Sequence, residues 1–329
     1  MALYNNEISI VIATYNGVLF IEEQIESIAR GTLLPNEIII VDDRSTDNTV
    51  LLLNNIKRNH PELNIKIIIN DSNIGAHSTF KKAIKLAKGK YIAPCDQDDI
   101  WEKNHIEILY NEIKKNNCDL VFGQDRIMYE DGEILHPIIQ YHGIEKIIFG
   151  NNIPGHLQMF HKDCVEVYDV APEVTFDWGS VLYAISNKGI KSVNNVICTW
   201  RRHENVVTSA YTKNCNKYKK VEKNKYYKTF ATIVKLLKGI KSEAIEKTMN
   251  NNFKILSKYS TNNNVIKKFA TVCDYVSRQN VISLFCGAFI YAKNLDSSKL
   301  TFKKKIGFFL YSFCYPFVWW YDYHTHSSL

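Results

Sequence analysis

The chain reads as an α/β protein built on a mainly parallel central sheet flanked by helices. Three observations predict this. Apolar, β-branched runs without alternation recur at residues 8–13, 37–41, 65–69 and 91–94, the mark of strands buried on both faces. Between them lie stretches whose apolar residues repeat at helical spacing. Each run also ends at or just before a polar cluster, and in parallel sheets ligands bind beyond the carboxyl ends of the strands.

Residues 8–13 make the first strand and Thr14-Tyr15-Asn16-Gly17 the turn after it. Ile21, Ile25, Ile28 and Ala29 share one helical face. Pro35-Asn36 is expected to interrupt the chain before the second strand, which ends in Asp42-Asp43. Val50, Leu53 and Ile56 give the next stripe. Residues 65–69 form the third strand, followed by the loop Asn73-Ile74-Gly75. Phe80, Ala83, Ile84 and Ala87 form a third helical face, with Gly89 expected as its C-terminal stop. The fourth strand, 91–94, runs into Cys95-Asp96-Gln97-Asp98-Asp99. Strand and helix thus alternate, which implies right-handed crossovers.

Beyond it, 102–116 reads as an amphipathic helix carrying Ile106, Leu109 and Ile113, and 120–127 as a strand. Asp131-Gly132 is a hairpin-type turn. Residues 142–155 are loop-rich and 157–161 an expected edge strand. Thr175-Phe176-Asp177-Trp178-Gly179 opens a helix through 187, and 190–199 supplies one or two short strands. Residues 230–258 read as an amphipathic helix and 281–291 as a short apolar one.

Charge is divided unevenly. From Val206 onward there are 21 Lys and Arg against 6 Asp and Glu, net +15, leaving 20 against 28, net −8, before that point. Such asymmetry points to different partners for the two portions. None of the eight cysteines forms a Cys-x-x-Cys pair, and no histidine spacing suggests zinc. The first seven residues have neither a basic start nor a long apolar core, so no signal peptide is expected. A reducing, cytoplasmic setting follows as the expectation.

Three carboxylates within four positions at a strand's end are costly unless neutralised. A hard divalent ion, Mg²⁺ or Mn²⁺, would neutralise them and leave coordination positions for phosphate. That reading is expected for Asp96 and Asp98; Asp99 is expected instead to cap a helix starting near Trp101. Tyr15 is suited either to stack on a nucleobase or to sit as a rim aromatic. Of Asp42 and Asp43, one is suited to accept the imide N–H of uracil or thymine, and one to cap the turn. Asn73 and Gly75 either admit ribose or diphosphate closely or make a plain strand-to-helix turn. Neither a Gly-x-Gly-x-x-Gly fingerprint nor a Gly-x-x-x-x-Gly-Lys-Ser/Thr loop is present, which argues against NAD and against a P-loop nucleotide site.

In order and at this spacing, Thr14-Tyr15-Asn16-Gly17, Val41-Asp42-Asp43-Arg44-Ser45-Thr46-Asp47, Asn73-Ile74-Gly75 and Asp96-Gln97-Asp98-Asp99-Ile100-Trp101 carry a resemblance. Residues 8–101 resemble the nucleotide-binding half of family 2 glycosyltransferases, inverting enzymes of the GT-A fold. The resemblance implies a nucleoside-diphosphate-sugar donor. It implies that Tyr15 stacks on the base, that Asp43 binds its imide, and that Asp98 ligates the metal with Asp96 nearby. Thr14, Asn16, Asp42, Asn73 and Gly75 complete the implied nucleotide site. Phe176-Asp177-Trp178 matches the family's acidic residue followed by an aromatic, which serves as general base; read alone, Asp177 is an ordinary helix cap. Trp200-Arg201-Arg202-His203 resembles the Tyr-Arg-x-His element of the rhamnosyltransferase-like branch, which would turn Arg201 or His203 toward the diphosphate or metal. Read alone, these residues begin a basic surface. The Gln-x-x-Arg-Trp signature of processive synthases is absent, which favours addition of a single sugar.

Two regions are therefore expected: a catalytic domain over 1–205 and a basic, aromatic-rich helical region over 206–329. In the second, Lys303-Lys304-Lys305 precedes Phe308, Phe309, Trp319 and Trp320. A basic run beside aromatics suits an anionic bilayer surface, or the aromatics pack on the catalytic domain. The stretch is short for a span, and no nucleic-acid-binding motif accompanies the charge. The expected activity is metal-dependent transfer of one sugar from a UDP- or dTDP-sugar to a hydroxyl acceptor. A lipid-linked glycan would explain a membrane-facing tail. The competing readings are a catalytically silent nucleotide-sugar-binding or membrane-scaffold protein and a nucleotidyltransferase, the latter weakened by the missing Gly-rich triphosphate loop.

Overall fold

The structure, a computed structural model, describes residues 3–136, 144–148, 150–202, 243–259, 263–278 and 281–294. The chain divides into two compact units, Met1–Tyr141 with Asn151–Glu204, and His142–Gly150 with Asn205–Leu329.

The first unit is a nine-stranded sheet with helices. Strands β1 (Leu3–Thr14), β2 (Leu33–Asp42), β3 (Ile65–Ile69) and β4 (Tyr91–Cys95) alternate with helices α1 (Ile21–Ala29), α2 (Thr49–Asn59) and α3 (Ala76–Leu86). All four strands run parallel, in the order β3-β2-β1-β4. Register aligns Thr14 with Asp42 and Asp42 with Ile69, so the strand ends share one edge. Ile8, Ile10, Ile12, Ile38, Ile40 and Ile92 are fully buried, as continuous apolar runs require. Glu37 is buried among them, yet it accepts bonds from Ser9 Oγ, Lys88 N and Lys66 Nζ. A buried carboxylate persists because these donors compensate it.

The remaining strands make the sheet mixed. β5 (Ile100–Trp101), α4 (His105–Asn116), β6 (Leu120–Tyr129), β7 (Ile134–Leu135), α5 (Ile144–Ile147), β8 (Gln158–His161), α6 (Val167–Val170), α7 (Phe176–Ser186) and β9 (Ile190–Arg202) complete the order. Sheet order continues β4-β8-β6-β9-β5, with β7 paired to β6 through the Asp131-Gly132 turn. β8 is antiparallel to both β4 and β6, and β5 antiparallel to β9.

Several expectations are corrected. Residues 158–161 are not an edge strand: Gln158, Met159 and Phe160 are fully buried between two neighbours. Pro35 lies inside β2, opposite Asn5 where the register slips, a place where a missing N–H is tolerated. Gly89 does not cap α3, which ends in extended backbone at Ala87. A Cβ on Gly89 would meet Ser9 N at 2.6 Å, so glycine serves a close backbone approach. Asp99 caps no helix, because Ile100 and Trp101 pair with Thr199 and Cys198 and α4 begins only at His105. One long β9 replaces the one or two short strands expected.

In the second unit lie α5 and helices α8 (Glu243–Tyr259), α9 (Asn264–Ser277) and α10 (Val281–Asn294). Asn263 caps α9 through Val265 N and Ile266 N, and Ile266, Phe269, Cys273 and Val276 form its buried stripe. This helix was not anticipated, although its cap and stripe are plain in the sequence. Asn252 of α8 donates to Ile148 O at 2.8 Å. Residues 230–242 and 303–320 lie outside the described residues, so the early part of the 230–258 helix and the aromatic tail are not placed. Among the described residues no helix is long and apolar enough to cross a membrane.

Candidate active site

Polar turns after β1, β2, β3 and β4 bind one another into a single edge. Asp43 N donates to Thr14 O and Asn70 N to Asp42 O, extending the ladder past the strand ends. Thr14 Oγ1 donates to Asp42 Oδ2 at 3.0 Å, and Asp42 also accepts from Ser45 N and Ser45 Oγ. Both residues are buried, so their side chains set the turn rather than face solvent. Asn16, at φ 49°, donates its N–H to Ser45 Oγ and accepts from Thr46 N. Tyr15 is 45% exposed, its backbone held on both sides by the Gln97 amide.

Asp43 organises the third turn. Its Oδ1 accepts from Ile74 N and Asn70 Nδ2, and its Oδ2 from Gly75 N, each at 2.8 Å. Burial opposes ionisation of Asp43, but these donations outweigh it and hold the carboxyl below its ordinary range. A carboxylate oxygen accepts two bonds, so Oδ2 retains capacity for a further N–H. Asn73 turns its Oδ1 back to Gly75 N at 3.2 Å, and Gly75 takes a φ of 85°.

After β4, Asp96 and Asp98 are half-buried while Asp99 is fully buried. Behind them sits His156, 3% exposed, in the 3₁₀ turn Gly155–Leu157. Its Nδ1 lies 3.3 Å from Asp96 Oδ2 and 3.8 Å from Asp99 Oδ2; its Nε2 lies 3.4 Å from Asp125 Oδ2. Asp125 reaches this place through a register slip between β6 and β9 that sets it beside Cys198. Burial disfavours a charged His156, yet Asp99, Asp125 and Asp96 outweigh it and hold the imidazole well above its ordinary pKa. Burial drives Asp99 well above the carboxylate range; His156 opposes this, and Asp96 and Asp98 add to it. Burial, then Asp99, likewise keeps Cys198 a thiol, consistent with its donation to Asp99 Oδ2 at 3.7 Å. Asp99, His156 and Cys198 each bring a ligand atom to within 4.8 Å of the others, but all three are buried. The half-buried carboxylates beside them, Asp96 and Asp98, bring hard oxygen donors, the chemistry that suits Mg²⁺ or Mn²⁺.

Asp177 is the second residue of α7, and Thr175 holds the cap position. Its Oδ2 accepts from Asn151 Nδ2 at 3.0 Å, while its Oδ1 is buried with no hydrogen-bond partner among the described residues. Gln158 Nε2 and Ser180 Oγ donate to the Asp177 carbonyl, and Ser180 Oγ lies 2.6 Å from Gln158 Oε1. A Cβ on Gly155 would meet the Phe176 ring at 2.4 Å, so only glycine lets that turn lie against α7. Phe176 in turn stacks on Phe80 of α3, ring centroids 4.3 Å apart.

Arg201 directs its guanidinium to Glu23 at 2.5 Å and over the Phe20 ring, while its backbone N donates to Asp99 Oδ1 at 3.3 Å. His203 lies outside the described residues. Residues missed from sequence are His156, Asp125, Asn151, Gln97 and Gln158. One signal was available: Asp125 stands within 120–127, a stretch that opens Leu-Val-Phe and reads as a strand, and a buried carboxylate demands a partner.

Comparison with known proteins bears on the family and the fold. The model of Glycosyl transferase family 2 matches residues 9–170. The uncharacterized glycosyltransferase YwdF of Bacillus subtilis is 30% identical over 199 residues, 57% of this chain and 71% of that protein. An Escherichia coli UDP-Glc:alpha-D-GlcNAc-diphosphoundecaprenol beta-1,3-glucosyltransferase, WfgD, is 31% identical over 121 residues, covering 37% and 46%. The structure of residues 1–349 of TarS from S. aureus, in complex with UDP-GlcNAc, superposes with a TM-score of 0.52 at 16% identity, over 98% of this chain and 92% of that one. That likeness shows a shared GT-A-type fold. The match to mycobacterial relatives, at 28% identity, spans 61% of their length. On the YwdF match and the family model together, the chain belongs to glycosyltransferase family 2.

Proposed function

We propose that this protein moves a single sugar, with inversion, from a UDP- or dTDP-sugar to a hydroxyl acceptor. The observation that carries the reading is Asp177: a carboxylate anchored at one oxygen and, among the described residues, buried without a partner at the other. A group so placed is suited to take a proton from an acceptor hydroxyl. Across the sheet edge, the exposed Tyr15 ring is assigned to the base and Asp43 Oδ2 to its imide N–H. Thr14, Asn16, Asp42 and Asn73 shape the turns that carry them, and Gly75 leaves room for the diphosphate.

Asp98 and Asp96 would hold a divalent ion, Mg²⁺ or Mn²⁺. Their hard oxygen donors fit it, and a bound ion would offset charge on the departing diphosphate. Arg201 and His203 are assigned to the diphosphate side, as in the rhamnosyltransferase-like branch. Residues 1–205 form the catalytic region in this reading. The acceptor is a glycan or lipid-linked glycan of a cell-surface polysaccharide, supported by the chemistry in WfgD's name. The net +15 beyond residue 205 supports a peripheral place on the inner membrane face.

The test is a panel of nucleotide sugars offered to the purified protein, with hydrolysis followed with and without Mn²⁺ or Mg²⁺. One UDP- or dTDP-sugar should be turned over only with metal, and EDTA should abolish the reaction until the ion is restored. Nucleotide binding without turnover of any donor would favour the silent-binder reading; full activity in chelator would remove the metal assignment. Replacing Lys303, Lys304 and Lys305 with Gln should weaken binding to anionic vesicles roughly a hundredfold, at about 1 kcal/mol per lysine, with little change in donor hydrolysis.

A further inference from the structure

The turn at Gly155–Leu157 belongs to a short stretch that touches both carboxylate groups of the site. Asn151 and Gln158 serve Asp177, while His156, between them in sequence, faces the opposite way onto Asp96, Asp99 and Asp125. Its ring is fixed on two sides. Nε2 points at Asp125 of β6, and the ring plane lies 5.6 Å, centroid to centroid, from Trp200 of β9. Nδ1 is thereby left toward Asp96, whose side chain is 38% exposed while the imidazole is 3% exposed. Asp96 is thus approached from behind by a buried ring nitrogen while part of its side chain stays exposed.

We propose that His156 is a positioning residue, which fixes the Asp96 carboxylate for the metal-bound diphosphate by donating from Nδ1 while Asp125 holds its far side. The inference rests on the reading of Asp96 and Asp98 as the metal-binding pair. A carboxylate with one oxygen tied back retains one direction of approach for a cation. Outer hydrogen bonds of this kind are worth about 10–100-fold in metal affinity at other sites.

Two substitutions separate the ends of the ring. His156→Gln places its amide where Nε2 was, keeping a partner for Asp125 and leaving Asp96 untied. His156→Asn places its amide nitrogen near Nδ1 and restores the tie. The readout is Mn²⁺ binding to the full chain in the presence of UDP, by loss of the free-ion paramagnetic signal, with thermal unfolding recorded beside it. H156Q should bind Mn²⁺ roughly tenfold more weakly and H156N within about threefold of wild type. In an Asp96→Asn background H156Q should add nothing, because the histidine acts through that carboxylate. Asp125→Asn leaves His156 in place and loosens its anchor. It should weaken Mn²⁺ binding about threefold, again only when Asp96 is present, and it serves if H156Q does not fold.

A merely structural histidine would lower the unfolding temperature of H156Q and H156N alike, with Mn²⁺ affinity unmoved or with effects that add to D96N; either result overturns the proposal. Wild-type protein that binds no Mn²⁺ with UDP present would overturn the metal reading itself, and this inference with it.

Discussion

The two sides of the site are built differently. On the side assigned to the nucleotide, turns follow four parallel strands in succession, and their polar residues bond across the strand ends, as Thr14 does to Asp42 and Gly75 to Asp43. On the side assigned to the base, Asp177 is held by Asn151 through its carboxylate, 26 residues away, and by Gln158 through its carbonyl, 19 away. Those contacts exist because β8 inserts antiparallel between β4 and β6. One side is a set of turns after parallel strands, bonded to one another along one edge; the other depends on an antiparallel strand crossing between β4 and β6. The nucleotide side should therefore survive damage to the base side, and the reverse should hold for chemistry at saturating donor.

The sharpest break between them is Asp177→Asn. It is nearly isosteric but cannot accept the acceptor proton, so turnover should fall roughly 10²–10⁴-fold. Nucleotide affinity measured by calorimetry should stay as in wild type. Lost nucleotide binding with turnover merely halved would mean the two sides are not separable.

Asp43→Asn acts on the opposite side. Its amide NH₂ would confront the N–H groups of Ile74 and Gly75, or leave them short of an acceptor. That costs about 1–3 kcal/mol, so nucleotide affinity should drop about tenfold or more. Turnover at saturating donor should change little.

A stability measurement sharpens the contrast between two buried histidines. His105 stacks on Trp101 at 3.7 Å and, among the described residues, hydrogen-bonds only the Ile197 carbonyl, through Nδ1. Burial, the largest influence, pushes its pKa down to about 3 from 6.5. The folded state thus resists a proton that the unfolded chain accepts. The stabilisation is complete above pH 6.5 and is lost as pH falls toward 3. By linkage His105 by itself contributes a loss on the order of 2 kcal/mol between pH 7 and pH 5. His105→Asn should flatten that slope in denaturant unfolding, and an unchanged slope would assign it elsewhere.

Asn151→Ala tests the base's own anchor. With the bond to Asp177 Oδ2 gone, the carboxylate is less well aimed, and kcat should fall about tenfold, the worth of a bond to a charged group of ~1.5 kcal/mol. Nucleotide affinity should again be unmoved.

The same division explains what could be read from the amino acids. The four strand-end turns were legible because turn chemistry is local: Asp42-Asp43, Asn73-Ile74-Gly75 and Asp96-Gln97-Asp98 each announce themselves within a few residues. Asp99 was misread as a cap because its role depends on β5 pairing with β9, some 100 residues later. His156 was passed over because a lone histidine in a loop-rich stretch carries no local signal; its partners come from β4, β6 and their register. Likewise Gln158 looked like part of an edge, since nothing local to 157–161 reveals strands on both sides.

The central claim is a single displacement driven by one base, Asp177, with the nucleotide held independently of it. The most direct test is the anomeric configuration of the sugar first released when the protein hydrolyses its nucleotide-sugar donor, followed by proton NMR before mutarotation. The account predicts the configuration opposite to that in the donor. Release with the donor's own configuration would contradict it, because one base activating one attacking oxygen leaves no route to retention.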